Sequence, residues 1–171
     1  MNAPLHREWD TLRQNRARRL ERAASLGFGQ EIPVDRIIDL LEAVIQPGDR
    51  VCLEGNNQKQ ADFLSESLAD CSPERINHLS MVQSVLALPS HVDLFERGLA
   101  NRLDFSFSGP QGARLARLVQ EQRIEIGAIH TYLELFGRYF LDLTPNVALI
   151  AAQAADAEGN LYLGPNTEDT P

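Results

Sequence analysis

Lysine is almost missing from this sequence: of its 16 basic residues, Lys59 alone is a lysine and the rest are arginines. Cysteine is scarce as well. Cys52 and Cys71 are too few for a disulfide framework and read as small core or surface residues rather than a redox or metal pair. No apolar run approaches the roughly 18 residues of a membrane-spanning helix. The start is polar and Arg-rich, without the apolar stretch of a secretory signal; Glu8, Asp10 and Glu21 also count against a transit peptide. Positive charge is in deficit, with 24 acidic residues and a net charge of −8, which argues against nucleic acid as the main partner. The expectation is a cytoplasmic protein with neither membrane nor nucleic-acid business. Glycine-rich nucleotide fingerprints, HExxH, CxxC and the Gly-x-Ser-x-Gly elbow are all missing. Generic nucleotide binding, a metal site and serine hydrolysis are therefore disfavoured.

What is present is a chain of 171 residues, 43% hydrophobic, long enough for one domain with a core. Charge is unevenly spread. Residues 1–30 carry six arginines against three acids, a balance of +3, which leaves −11 for the remainder. We read 1–30 as a basic helical arm and 31–171 as an α/β domain. Clamping a phosphate or partner subunit and simple solvation are both open roles for the arm.

Periodicity predicts a helix over 7–26, ended by Gly27-Phe-Gly29, and a second after Pro33 that stops at Pro47-Gly48. Val51–Leu53 reads as the first strand, followed by a helix from Gln58 to Leu68 with Phe63, Leu64 and Leu68 on the core. Further strands are expected at Ile76–Met81, Leu103–Phe107, Ile124–Ile129 and Val147–Ala152. Helices are expected at Pro89–Gly98, after Gly112 (Leu115, Leu118, Val119 inward) and at Thr131–Phe140. A turn at Asp156–Gly159 leads to a short strand, Asn160–Leu163, in a hairpin. Strands alternating with helices imply βαβ units, right-handed crossovers and a mostly parallel, Rossmann-like sheet with flanking helices. Ligands in such sheets sit beyond the carboxyl ends of the strands. The candidate site is thus the set of post-strand loops: Glu54–Gln60, Gln83–Pro89, Ser106–Gly112 and Ile129–Tyr132.

The first of these loops is the most informative stretch. Glu54, Gly55, Asn56, Asn57, Gln58 and Lys59 run from a strand toward a helix. Backbone can approach a ligand closely at Gly55, and a helix N-terminus offers free N–H groups and partial positive charge. The amides of Asn56, Asn57 and Gln58 both donate and accept, which suits a carbonyl, thioester or amide-rich ligand better than a bare triphosphate. Lys59 is a point charge for a phosphate. The competing reading is a solvated loop tip. Glu54, at a strand end, is placed for a nucleophile or for a turn-capping role. Ser108 and Gly109, in the Gly-Pro-Gln-Gly turn, offer backbone N–H groups for an acyl pocket, or are an ordinary turn. His130 directly follows a strand and is either a base or a structural histidine. His78 reads as satisfied within a strand, and His6 and His91 as surface residues.

The segment Gly48-Asp-Arg-Val-Cys-Leu-Glu-Gly-Asn-Asn-Gln-Lys-Gln-Ala-Asp-Phe-Leu64 resembles the malonate decarboxylase α-subunit family. Trp9 with its Arg-rich helix, Asp156-Ala-Glu-Gly-Asn-Leu-Tyr162 and Gly164-Pro-Asn-Thr-Glu-Asp-Thr-Pro171 support the resemblance, which spans essentially the whole chain. The turn over 155–161 is also similar to the wider two-domain CoA-transferases. The resemblance implies a CoA-transferase-like fold and an acyl exchange, acetyl for malonyl, on an acyl carrier protein. The thiol belongs to a phosphoribosyl-dephospho-CoA arm brought by that carrier, so no tightly bound cofactor is implied. Other decarboxylase subunits, malonate and acetate are the further implied partners. By the same resemblance, Gly55 to Lys59 lie where those transferases hold the CoA arm, although their run of glycines is replaced here by Asn-Asn-Gln-Lys. Related enzymes attack the thioester with a glutamate in a second homologous domain. No residue here takes that role, so the nucleophile is expected beyond residue 171, with this chain a fragment that stops in a loop. A non-catalytic ligand- or subunit-binding module is the alternative from another class, with a sugar-phosphate isomerase as a third.

Overall fold

A computed structural model describes residues 9–27, 31–55 and 61–163. Helix α1 (Trp9–Ala24) is polar on most sides, and α2 (Ile37–Val44) follows a short 3-10 turn at Val34–Arg36. Five parallel strands form the sheet: β1 (Arg50–Leu53), β2 (Leu79–Val85), β3 (Ala100–Phe107), β4 (Glu125–Ile129) and β5 (Val147–Leu149). They lie in the order β4-β3-β2-β1-β5. Between them run α3 (Asp62–Ala69), α4 (Ser90–Glu96), α5 (Gly112–Gln120) and α6 (Tyr132–Leu141). A two-stranded hairpin, β6 (Ala154–Ala155) with β7 (Leu161–Tyr162), closes the described part. Its turn is held by the Asp156 carboxylate, which accepts from the N–H groups of Glu158 and Asn160 at 3.1 and 2.8 Å.

The strand order dictates the layers. Crossovers through α3, α4 and α5 all step the same way along the sheet. Right-handedness then puts those helices on one face. The return from β4 to β5 steps the other way and places α6 on the opposite face. The packing agrees. Val51, Leu53, Leu79, Met81, Leu103 and Phe105 bury against Leu41 and Ile45 of α2, Leu68 of α3, Phe95 of α4 and Leu118 of α5. The second face has a smaller cluster, in which Val82 meets Leu135 of α6 and Leu143, with Cys52 and Tyr139 beside them. Beyond it, Leu133, Phe136, Phe140 and Leu141 of α6 face outward; the rings of Phe136 and Phe140 meet edge to face, 5.4 Å apart.

Several expectations need correction. Strand β2 is displaced toward the C-terminus: Ile76 is buried but lies in a turn, and His78 takes a left-handed φ of 54° that breaks the extended run. His78 is consequently exposed, beside Asn101, rather than satisfied inside a strand. Gln83 to Val85, expected in a loop, belong to β2; β3 ends at Phe107 as expected but begins earlier, at Ala100. Helix α3 begins at Asp62 because Ala61 adopts φ 45° and caps it. Phe63 and Val119 point outward. His91 is not a surface residue. It is 1% exposed, its Nδ1 3.2 Å from both the Val85 carbonyl oxygen and the Ala87 nitrogen, because the tight 85–90 turn folds α4 back over the end of β2. The arm's arginines are not all turned to solvent either. Arg19 donates to the Asp49 carboxylate, the Val44 carbonyl and Gln46, which pins α1 to the turn before β1.

Candidate functional site

In a sheet of this order the chain reverses direction between β1 and β5. The crevice beyond the carboxyl ends of these two strands is the topological switch point, where open α/β sheets receive ligands. Glu54 stands at its lip. Its N–H donates to the Leu149 carbonyl at 3.0 Å, and its carboxylate accepts from the Ala151 N–H at 2.8 Å. Glu54 therefore ties the exit of β1 to the exit of β5. Gly55 follows. Asn56, Asn57, Gln58 and Lys59 lie outside the described residues.

The second candidate loop lies two strands away, about 10 Å at ordinary strand spacing. Ser108 precedes a 3-10 turn at Gly109–Gln111. Gly109 has φ 52°, and a Cβ there would come within 3.0 Å of the Leu86 carbonyl oxygen, so this turn sits directly on the exit of β2. The stitching continues with the Leu86 N–H donating to the Phe107 carbonyl at 3.1 Å and Gln111 donating to the Ala87 carbonyl at 3.4 Å. Arg114 of α5 then bridges to Asp93 (2.6 Å) and Glu96 (2.7 Å) of α4, and Arg117 adds a bond to Glu96 at 2.8 Å. These guanidinium donors hold the Glu96 carboxyl below its ordinary range, and the carboxylates raise Arg114 in turn.

His130 caps the end of β4, its N–H donating to the Phe105 carbonyl at 2.8 Å. Its ring turns inward, away from the carboxyl edge. Nε2 lies 3.6 Å from Asp104 Oδ1, while Nδ1 faces Arg138 at 3.4 Å and Glu134 at 3.9 Å. Both side chains of this contact, imidazole and carboxyl, are fully buried. The pairing is possible because Gly127 on β4 has no side chain: a Cβ there would come within 2.4 Å of Asp104 Oδ1. His130 thus joins β3 to α6. Arg138, whose guanidinium is raised chiefly by its bond to Asp142, completes the connection.

Among the described residues, three candidate positions are brought to one edge of the sheet: Glu54 with Gly55, Ser108 with Gly109, and His130. Sequence reasoning included Gln83 and Ser106 in candidate loops without giving either side chain a role, and it missed Asp104. Buried atoms of all three lack a hydrogen-bond partner among the described residues. The alternation Leu103-Asp-Phe-Ser-Phe107 held the signal for two of them, since it puts Asp104 and Ser106 on the same face of β3. Neither thiol is poised for chemistry. Burial pushes Cys71 up to about 12 and also raises Cys52, whose Sγ lies 3.3 Å from the Tyr139 hydroxyl. No group of three or more metal-ligating side chains converges among the described residues, and no described helix is long and apolar enough to cross a membrane.

A family model described as malonate decarboxylase, alpha subunit, transporter, matches residues 8–171. An acetyl-S-ACP:malonate ACP transferase from Malonomonas rubra is 54% identical over 164 residues, which are 95% of this chain and 30% of that protein. A crystal structure of a malonate decarboxylase alpha subunit from Acinetobacter baumannii superposes with a TM-score of 0.90 at 50% identity, over 94% of this chain and 30% of its own. A Pseudomonas malonate decarboxylase hetero-tetramer, solved in complex with malonate, contains a chain with a TM-score of 0.90 at 53% identity, over 98% of this chain and 30% of that one. The chain thus spans about a third of the length of these relatives.

Proposed function

The chain belongs to the malonate decarboxylase α-subunit family, and from that membership we propose that it forms the carrier-binding part of an acyl carrier protein transferase. The reaction is acetyl-S-carrier plus malonate giving malonyl-S-carrier plus acetate. The sulfur keeps its place on the carrier's phosphoribosyl-dephospho-CoA arm while one acyl group replaces another. The arm arrives with the carrier, so it is substrate, and the chain needs no cofactor of its own.

The observation that carries this reading is the position of Glu54 and Gly55 at the β1–β5 switch point, where the amide-rich segment 56–59 begins. An arm laid along that edge presents amides and a thioester, and the loop offers amides and one cation in return. The thiolate released during exchange carries negative charge, which Lys59 and free backbone N–H groups would stabilise. Glu54 is held by the Ala151 N–H, which suits a positioning role. The nucleophilic glutamate belongs to polypeptide beyond residue 171. Ser108 and Gly109 form the far wall, and His130 fixes α6 behind it. The other decarboxylase subunits take the malonyl thioester onward, in the cytoplasm.

Acetyl exchange from acetyl-carrier protein to malonate, measured with a family-length polypeptide, tests the proposal. Asn57→Ala and Lys59→Ala should each slow exchange by about tenfold, the loss of one charge-assisted or buried hydrogen bond. Unchanged rates in both variants would overturn it. The apolar outer face of α6 favours a second reading, a subunit-binding module without chemistry. That reading requires no exchange at any length of polypeptide.

A further inference from the structure

Strands β5, β1 and β4 all end in one row across the sheet, Leu149–Leu53–Gln83–Phe105–Ile129. Four of its five members are apolar. The fifth, Gln83, sits on the central strand at 2% exposure, and neither its Oε1 nor its Nε2 has a hydrogen-bond partner among the described residues. Methionine would fill almost the same space without stranding a carboxamide. A buried amide with both ends unmet lowers stability, and a fold that keeps one where packing calls for carbon marks a place of use.

We propose that Gln83 is a binding residue for a secondary amide of the thioester-bearing arm, a role that rests on the transferase reading above. The chemistry selects the class of ligand. Nε2 has hydrogens to give and Oε1 has lone pairs to fill. A carboxylate such as malonate's only accepts and leaves Oε1 unmet, and a phosphate dianion does the same. A peptide-type amide offers N–H and C=O side by side and meets both. A pantetheine-type arm carries such amides between its phosphate and its sulfur. The location fits as well. Gln83 is the direct neighbour of Leu53, whose chain continues into Glu54 and Gly55. It therefore stands one strand spacing, about 4.8 Å, from the root of the amide-rich loop. Met81, two residues earlier on the same face, lies in the core, and Gln83 follows it toward the carboxyl edge of the sheet, with Val85 next on that face.

The experiment compares wild type with Gln83→Met and Gln83→Leu in the family-length polypeptide. Calorimetry measures binding of S-acetyl-pantetheine and of an amide-free acetyl thioester of equal length, and the exchange assay runs in parallel. Wild type should prefer the amide-bearing thioester by about tenfold, the value of one buried amide pair. Both variants should lose that preference, keep their KM for malonate within about twofold, and unfold at the wild-type temperature or above it. The proposal is overturned if wild type shows no preference or if the preference survives in the variants. It is equally overturned if KM for malonate moves in its place, or if both variants unfold at lower temperature, the mark of a purely structural amide. Amide preference without any acetyl exchange in wild type would remove the transferase reading and leave the Gln83 contact standing. Exchange with an undiminished preference in Gln83→Met would do the reverse.

Discussion

Replacing Gly127 by alanine probes the contact by which the sheet's second face accommodates the buried Asp104 carboxyl group. The new Cβ would lie 2.4 Å from Asp104 Oδ1 and 2.6 Å from Oδ2, whereas ordinary contact begins near 3.4 Å. The carboxylate must then retreat by about 1 Å, against close packing that resists such shifts. It has little room, being fully buried between His130 Nε2 and Arg102 Nε, each 3.6 Å away. Overpacking a filled interior costs about 1–3 kcal/mol. Moving a buried carboxyl group away from His130 and Arg102 adds to that, since a buried polar group depends on close partners. We expect Gly127→Ala to lose about 2–3 kcal/mol, or about 4–12 °C in unfolding temperature for a chain of this size. Asp104→Ala should also destabilise, by leaving His130 without its carboxylate. The double variant is the decisive one, because removing the carboxylate vacates the space that the new methyl group needs. Urea titrations followed by circular dichroism should find the double variant less destabilised than the sum of the singles by at least about 1 kcal/mol. Additivity within about 0.5 kcal/mol would refute this account of the contact.

Two further outcomes follow from the titrating groups. The Glu96 carboxyl is held below its ordinary value of 4.5 by Arg114 and Arg117, so its contribution is present above that value and disappears as pH falls through the lower, folded one. With its side chain 28% exposed, that contribution stays at or below about 1 kcal/mol. Glu96→Gln should therefore be slightly less stable than wild type at pH 7, with the gap narrowing as pH falls below 4.5; a gap that stays constant on acidification contradicts the network. Burial keeps both thiols protonated, so Cys52 and Cys71 should resist iodoacetamide at pH 8 in the folded protein and react quickly in urea. Fast modification of the folded protein would contradict their environments.

The alternation of strands and helices was legible because glycine, proline and polar clusters separate the apolar runs, and the turn at Asp156–Gly159 announced its hairpin. Strand boundaries were less so. Ile76 looks like strand from its side chain, but the left-handed turn at His78 is a backbone event that the surrounding residues do not advertise. That displacement hid Gln83 in an expected loop and so concealed the unmet amide. His91 reads as a surface residue because a seven-residue helix with acids looks solvated; only the way β2 runs into α4 buries it. The neighbourhood of β1 and β5 is equally invisible locally, since it follows from the direction of the last crossover. The Asp104–Gly127–His130 contact joins residues on two strands, and nothing at any one of them signals the other two. Glu54, Gly55, Ser108, Gly109 and His130 were placed correctly at strand exits. What each side chain does there, as with the inward turn of the His130 ring, depends on neighbours distant in sequence.

The central claim is that an acyl-carrying arm lies along the carboxyl edge of this sheet, from the β1–β5 switch to the turn at Ser108–Gly112. Hydrogen–deuterium exchange on the family-length polypeptide, with and without acetyl-carrier protein, tests it most directly. The account predicts slowed exchange over residues 53–60, 83–88 and 106–112, with α1 unchanged. Protection confined to α1 or to the outer face of α6, with those three segments unaltered, would contradict it.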